Sequence, residues 1–193
     1  EKVQAYNPKS GTEAQNAMLW DIDEDSLEEA ERLNVMLALI KWEIEHNMLT
    51  ESQVIEQSDG TLKYFMRNHD PKRCVATAYS KNGGASWESF SHDENLPQPI
   101  CQNSVIKIEG ADKPYVVFLN AADKKERKCG TVRLSEDDGE TFPYSRVLKE
   151  DSFVYSSMTL LPDGNIGVLF EPDLECQNIW FTKFSLDWIK GEE

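Results

Sequence analysis

What most constrains this chain is a repeat. From residue 50 onward, short apolar runs separated by turn signals return in the same order about every 50 residues, a period typical of stacked supersecondary units. The first round is a hairpin of Ser52–Gln57 and Thr61–Arg67 about an Asp59-Gly60 turn. Cys74–Ser80 follows, and Trp87–Phe90 comes after a glycine-rich turn. The second round has Asn103–Ile108, Pro114–Asn120 and Thr131–Ser135, then Phe142–Leu148. The third has Ser156–Leu161, Asn165–Glu171 about Asp163-Gly164, and Asn178–Leu186. Rounds of about four strands are the pattern of propeller blades. A sandwich would also have short, regularly spaced strands, but it would not repeat the same turn at the same place. The expectation is an all-β chain with about three four-stranded blades over residues 50–190, fewer than the four to eight that close a propeller.

Residues 1–49 have a different character. Ser26 followed by Glu29 reads as a capping box, and Leu27, Ala30, Leu33, Leu37 and Ile40 then recur at helical spacing, with Ile44 and Met48 extending the stripe. One amphipathic helix from about Ser26 to about Asn47 is expected, preceded by an irregular polar stretch. No chemistry is legible in this segment.

The formal net charge is −15. No basic footprint offsets it, which argues against nucleic acid or an anionic membrane surface as partner. An anionic ligand would have to be held by local arginines, of which there are six: Arg32, Arg67, Arg73, Arg127, Arg133 and Arg146. No apolar run approaches the roughly 20 residues of a membrane span, and the polar start at Glu1 has no apolar leader pattern. Cys74, Cys101, Cys129 and Cys176 contain no Cys-x-x-Cys pair, so their spacing suggests no zinc site and leaves disulfides or free thiols open. No metal or organic cofactor is implied by any cluster.

The repeated turns are Ser80-Lys-Asn82-Gly-Gly84-Ala-Ser86-Trp87 and Ser135-Glu-Asp137-Asp-Gly139-Glu-Thr141-Phe142. In each, the Asn or Asp can accept backbone N–H bonds, the glycine can take positive φ, and the aromatic can pack beneath the turn. Both fit Ser-x-Asp/Asn-x-Gly-x-Ser/Thr-aromatic, which resembles the Asp box of sialidases (neuraminidases). That box is structural and occurs in other propellers, so three further segments carry the functional resemblance. Glu51 through Arg67 is similar to a family hairpin that supplies a glutamate and, at its far end, an arginine of the substrate-binding triad. Arg127, just ahead of the strand that leads into the second Asp box, falls where the family has its last triad arginine, whereas Arg133 reads as an ordinary strand residue. Tyr155 through Glu171 resembles the stretch with the catalytic tyrosine and a glutamate that braces the first triad arginine.

The resemblance implies the later portion of a six-bladed sialidase-type propeller. It also implies an exo-α-sialidase that releases terminal sialic acids from glycoconjugates with retention, so its partners would be sialylated glycans. Tyr155 would be the nucleophile, Glu51 its base, Arg67 and Arg127 holders of the substrate carboxylate, and Glu171 a support. The residue types suit the chemistry. A guanidinium fork matches the carboxylate on the anomeric carbon of sialic acid. A neutral tyrosine avoids the repulsion that a carboxylate nucleophile would meet there, and sialidases depart from the two-carboxylate scheme in this way. The family also has an Arg-Ile-Pro motif and an acid/base aspartate upstream, and residues 1–49 contain neither in recognisable form. A non-catalytic sialoside-binding or interaction propeller is therefore the alternative reading. Family members are often secreted or surface-bound.

Overall fold

The computed structural model describes residues 49–110 and 112–192. The helix expected over residues 26–47 lies outside them. Eleven strands form three antiparallel sheets among the described residues. The first sheet, or blade, has β1 (Leu49–Glu56), β2 (Leu62–Asn68), β3 (Cys74–Ser80) and β4 (Glu88–Pro97). The second has β5 (Asn103–Glu109), β6 (Pro114–Ala121), β7 (Lys128–Ser135) and β8 (Tyr144–Ser152). The third has β9 (Ser156–Leu160), β10 (Ile166–Phe170) and β11 (Trp180–Phe184). Each sheet is a simple meander in chain order, and β1, β5 and β9 lie side by side at one edge of the three blades. This is the all-β, blade-by-blade architecture expected from the repeat.

Two outer strands run past their expected ends, β4 to Pro97 and β8 to Ser152. The added stretches are polar and mostly solvated, so they lack the alternation that marks a half-buried strand. After β11 the chain forms a short helix, α1 (Leu186–Lys190), where the sequence reading continued the strand to Leu186. Ser185 caps it by accepting the Trp188 N–H at 2.9 Å, and Gly191 ends it at φ 80°. It rests on blade 2, where Arg146 lies 4.5 Å over the Trp188 ring and donates to the Trp188 carbonyl.

Alternate residues of each strand point to opposite faces of its blade, and the core consists of the seams between blades. Ile55, Phe65, Val75 and Leu96 of blade 1 meet Val105, Val116 and Phe118 of blade 2, with Phe142 packed against them. On the far side of blade 2, Val117, Leu119, Val132 and Leu134 meet Met158, Ile166, Val168 and Phe170 of blade 3. The four cysteines are all free thiols.

Adjacent innermost strands belong to different sheets, so side chains satisfy backbone groups that no ladder pairs. Gln53 accepts the Val105 N–H at 2.6 Å, and Ser104 accepts the Met158 N–H at 3.1 Å. Gln102 closes a two-way clasp on Ser156, accepting its N–H at 3.1 Å and donating to its carbonyl at 3.0 Å. These bonds tie the starts of the blades together.

The two repeated turns have equivalent geometry. Ser80 Oγ accepts the Gly84 N–H at 2.9 Å, and Ser135 Oγ accepts the Gly139 N–H at 2.8 Å. Asn82 Oδ1 accepts the Ser86 N–H at 3.0 Å; Asp137 Oδ1 accepts the Thr141 N–H at 2.9 Å, and its Oδ2 the Thr141 hydroxyl at 2.6 Å. Gly84 and Gly139 have φ of 87° and 83°, and Trp87 and Phe142 pack beneath their turns. Asp137→Ala removes these bonds while leaving the core in place, and is expected to cost about 1–3 kcal/mol. Urea unfolding measures this, with an unchanged midpoint counting against a structural role for the turn.

Candidate active site

Glu51 sits where β1 departs from regular pairing. Thr50 is opposite Arg67 and Ser52 opposite Met66, which leaves Glu51 as the extra residue of a β-bulge, at φ 42°. A bulge re-aims its side chain, and a left-handed glutamate costs roughly 1–2 kcal/mol, so the neighbours must hold it there. Those neighbours are Arg67 and Tyr155. Arg67 is next to last in β2, opposite Thr50 beside the bulge, and its Nη1 donates to Glu51 Oε2 and, at 3.1 Å, to the Tyr155 hydroxyl oxygen. The Tyr155 hydroxyl in turn donates to Glu51 Oε1. Residues 16 and 104 positions from Glu51 thus close a three-way hydrogen-bonded ring with it.

Tyr155 is positioned by the end of β10. Glu171 donates its N–H to the Tyr155 carbonyl at 2.9 Å, and its carboxylate lies 3.3 Å from the Tyr155 N–H. In this structure Glu171 therefore braces the tyrosine backbone. Phe153, two residues before Tyr155, is fully buried and lies flat against Gly130, where an added Cβ would run into its ring. The Phe153 N–H also bonds the Arg127 carbonyl at 2.9 Å. Arg127 donates to the Ile100 carbonyl at 3.3 Å, and its guanidinium carbon is 5.8 Å from the Tyr155 ring centroid. Tyr155, Glu51, Arg67, Arg127 and Glu171 are thus gathered at the starts of β1 and β9. Arg133 lies apart, buried between blades 1 and 2 and bonded to Asn120 Oδ1 at 2.9 Å. Burial pushes its pKa down to about 10.

The ring sets the protonation states. Burial works to raise the Glu51 pKa, but hydrogen bonds from Tyr155 and Arg67 and the charges of Arg67 and Arg127 outweigh it, holding the carboxyl below its ordinary range. Burial, together with the hydrogen bond to Glu51 and its charge, pushes the Tyr155 phenol above its ordinary value against the pull of Arg67. At neutral pH the proton is on the tyrosine and the charge on the glutamate. A neutral oxygen nucleophile touching an ionised acceptor, with two guanidinium groups beside it, can attack an electrophilic carbon next to an anionic group.

Residues 13–168 match the model of the BNR repeat-like domain family. The chain belongs to the sialidase family of BNR-repeat propellers. It is 34% identical over 149 residues to a sialidase of Micromonospora viridifaciens, covering 74% of this chain and 23% of that protein. It is 31% identical over 156 residues to an exo-alpha-sialidase of Aspergillus fumigatus, covering 72% of this chain and 37% of the relative. Among solved structures, Hadza microbial sialidase Hz136 superposes with a TM-score of 0.65 at 30% identity, over 73% of this chain and 28% of that one. The chain therefore spans about a quarter to two-fifths of the length of these relatives.

Within this sialidase-family frame, motif reading passes over residues that organise the site without resembling anything. Cys101 is buried and donates to the Val154 carbonyl at 3.3 Å, and Gln102 clasps the start of β9. The signal for Gln102 is positional, because it immediately precedes β5 as Tyr155 immediately precedes β9.

Proposed function

We propose that this chain carries the nucleophile half of an exo-α-sialidase site, acting on terminal sialic acids of glycoconjugates with retention of configuration. The observation that supports it is the closed ring of Tyr155, Glu51 and Arg67 beside Arg127. In this reading Arg67 and Arg127 hold the substrate carboxylate. The Tyr155 oxygen attacks the anomeric carbon as its proton passes to Glu51, and the glycosidic C–O bond breaks. Water then attacks the same carbon and gives up a proton to solvent, while Glu51 returns its proton to the Tyr155 oxygen as the sugar leaves; the departing alcohol takes its proton from solvent. The proton for the departing alcohol and a third carboxylate-binding arginine are assigned to no described residue. A second reading is a module that binds sialosides without turnover. It is distinguished by binding of N-acetylneuraminic acid with no release of product.

The test is fluorophore release from a 4-methylumbelliferyl α-sialoside by the purified chain, measured as kcat/KM against pH. Glu51 must be ionised to accept the proton, and its pKa is lowered in the folded protein. Turnover is therefore expected to hold through the ordinary glutamate pKa of about 4.3 and to fall only below it. The linked stability has the same sign: the contribution of Glu51 is present above its unfolded pKa and is lost as pH falls through the depressed folded one. An acid limb centred at or above about pH 5 sinks the assignment of Glu51 as base.

A further inference from the structure

Buried polar atoms are nearly always hydrogen-bonded, so clustered exceptions call for an explanation. Four buried side-chain atoms without a partner belong to three residues at the starts of the inner strands or beside them. They are Arg67 Nε, both amide atoms of Asn103, and Ser156 Oγ. Strand register relates the first two residues. On β2, Phe65 faces blade 2, where its ring lies 5.6 Å from that of Phe118. Arg67 is two residues further along and shares that face. On β5, Val105 packs into the same seam, and Asn103, two residues before it, faces blade 1. Val105 is opposite Phe118 on β6, as Asn103 is opposite Asn120. Phe65 with Phe118, and Arg67 with Asn103 and Asn120, are therefore successive rungs of the seam between blades 1 and 2, the second at the site end.

The Asn120 amide is already engaged, donating to the Pro97 carbonyl at 2.8 Å and accepting from Arg133 at 2.9 Å. The Asn103 amide, 0% exposed, is not. The side-chain bonds of Arg67 leave from Nη1, toward Glu51 and Tyr155. We propose that Asn103 is a positioning residue for Arg67, its carboxamide oxygen accepting the Nε–H after a small rotation of either side chain. The guanidinium is then fixed on two sides, by Asn103 at Nε and by Glu51 and Tyr155 at Nη1, which turns Nη2 toward a ligand. A neutral amide suits this task because it orients the group without cancelling the charge that a substrate carboxylate needs. This rests on the reading of Arg67 as a carboxylate holder given above.

The test uses the full chain labelled with ¹⁵N and follows the Arg67 Nε–H resonance, identified by its loss in Arg67→Lys. Its exchange with water is expected to be slow in the parent protein, at least about tenfold faster in Asn103→Leu and Asn103→Ala, and still slow in Asn103→Asp, which keeps an acceptor. Affinity for N-acetylneuraminic acid should weaken roughly three- to tenfold in the Leu and Ala variants. In Asn103→Asp affinity should fall as well, because the new charge competes with the ligand, while exchange stays slow. A merely structural role would not produce that split. Unchanged Arg67 exchange in Asn103→Ala overturns the proposal. If the parent chain binds no N-acetylneuraminic acid, the carboxylate-holder reading fails, while the exchange comparison still decides the role of Asn103. Should Asn103→Leu not fold, Asn103→Ala carries the comparison.

Discussion

Tyr155→Phe is expected to lower release of product from an α-sialoside by at least about 10³-fold, while leaving the affinity for free N-acetylneuraminic acid within about threefold. The substitution deletes one oxygen. That oxygen is the atom that would bond the anomeric carbon, and it is also the donor to Glu51 Oε1. The backbone of Tyr155 is held through its own N–H and C=O by Glu171, so the ring should stay in place. Arg67 remains paired with Glu51, so the carboxylate-binding group is retained. Loss of the tyrosine bond also removes one of the forces lowering the Glu51 pKa. A Tyr155→Phe variant that keeps more than about a tenth of parental turnover sinks the nucleophile assignment.

The largest stability effect is expected for Phe118→Ala. Phe118 is fully buried in the seam between blades 1 and 2. Its ring centroid lies 5.6 Å from that of Phe65 and 5.7 Å from that of Phe142. Strands hold the surrounding backbone, so the seam collapses little into the space left, and the cost should be about 3–5 kcal/mol. For a chain of this size that lowers the unfolding midpoint by roughly 10 °C, readable by near-ultraviolet circular dichroism. Loosening this seam also loosens the site, since Glu51 and Arg67 stand on blade 1 whereas Tyr155 stands on blade 3 beyond blade 2. A cost below about 1 kcal/mol would mean that the seam is not where the blades are held together.

The placement of the ring follows from the way the blades are joined. The innermost strands share no backbone ladder, so their starts are spanned by side chains: Gln53 to Val105, Gln102 to Ser156, and Glu51 to Tyr155. The first two of these contacts are structural. The third is strained at its glutamate and carries an acid and a base of shifted pKa, a combination typical of functional sites.

The repeat, the strand order and the two box turns were legible in the chain itself because each depends on local chemistry. Alternation marks strands such as Pro114–Ala121, glycine permits positive φ at Gly84 and Gly139, and a carboxylate or amide two residues after a serine closes the turn. Tyr155, Glu51, Arg67, Arg127 and Glu171 could be singled out by resemblance, which carries no information on distance. Tertiary structure alone decided that a bulge turns Glu51 toward a tyrosine 104 residues away, and that Glu171 meets the backbone of Tyr155. It also decided that Arg133, which reads as an ordinary strand residue, is a buried cation bonded to an asparagine. The polar outer reaches of β4 and β8 and the five-residue α1 were not legible, because a solvated strand has no alternation and so short a helix has no period. Contacts between blades depend on how the sheets rotate about one another, and that rotation is set by the packing of whole faces rather than by any local run of residues.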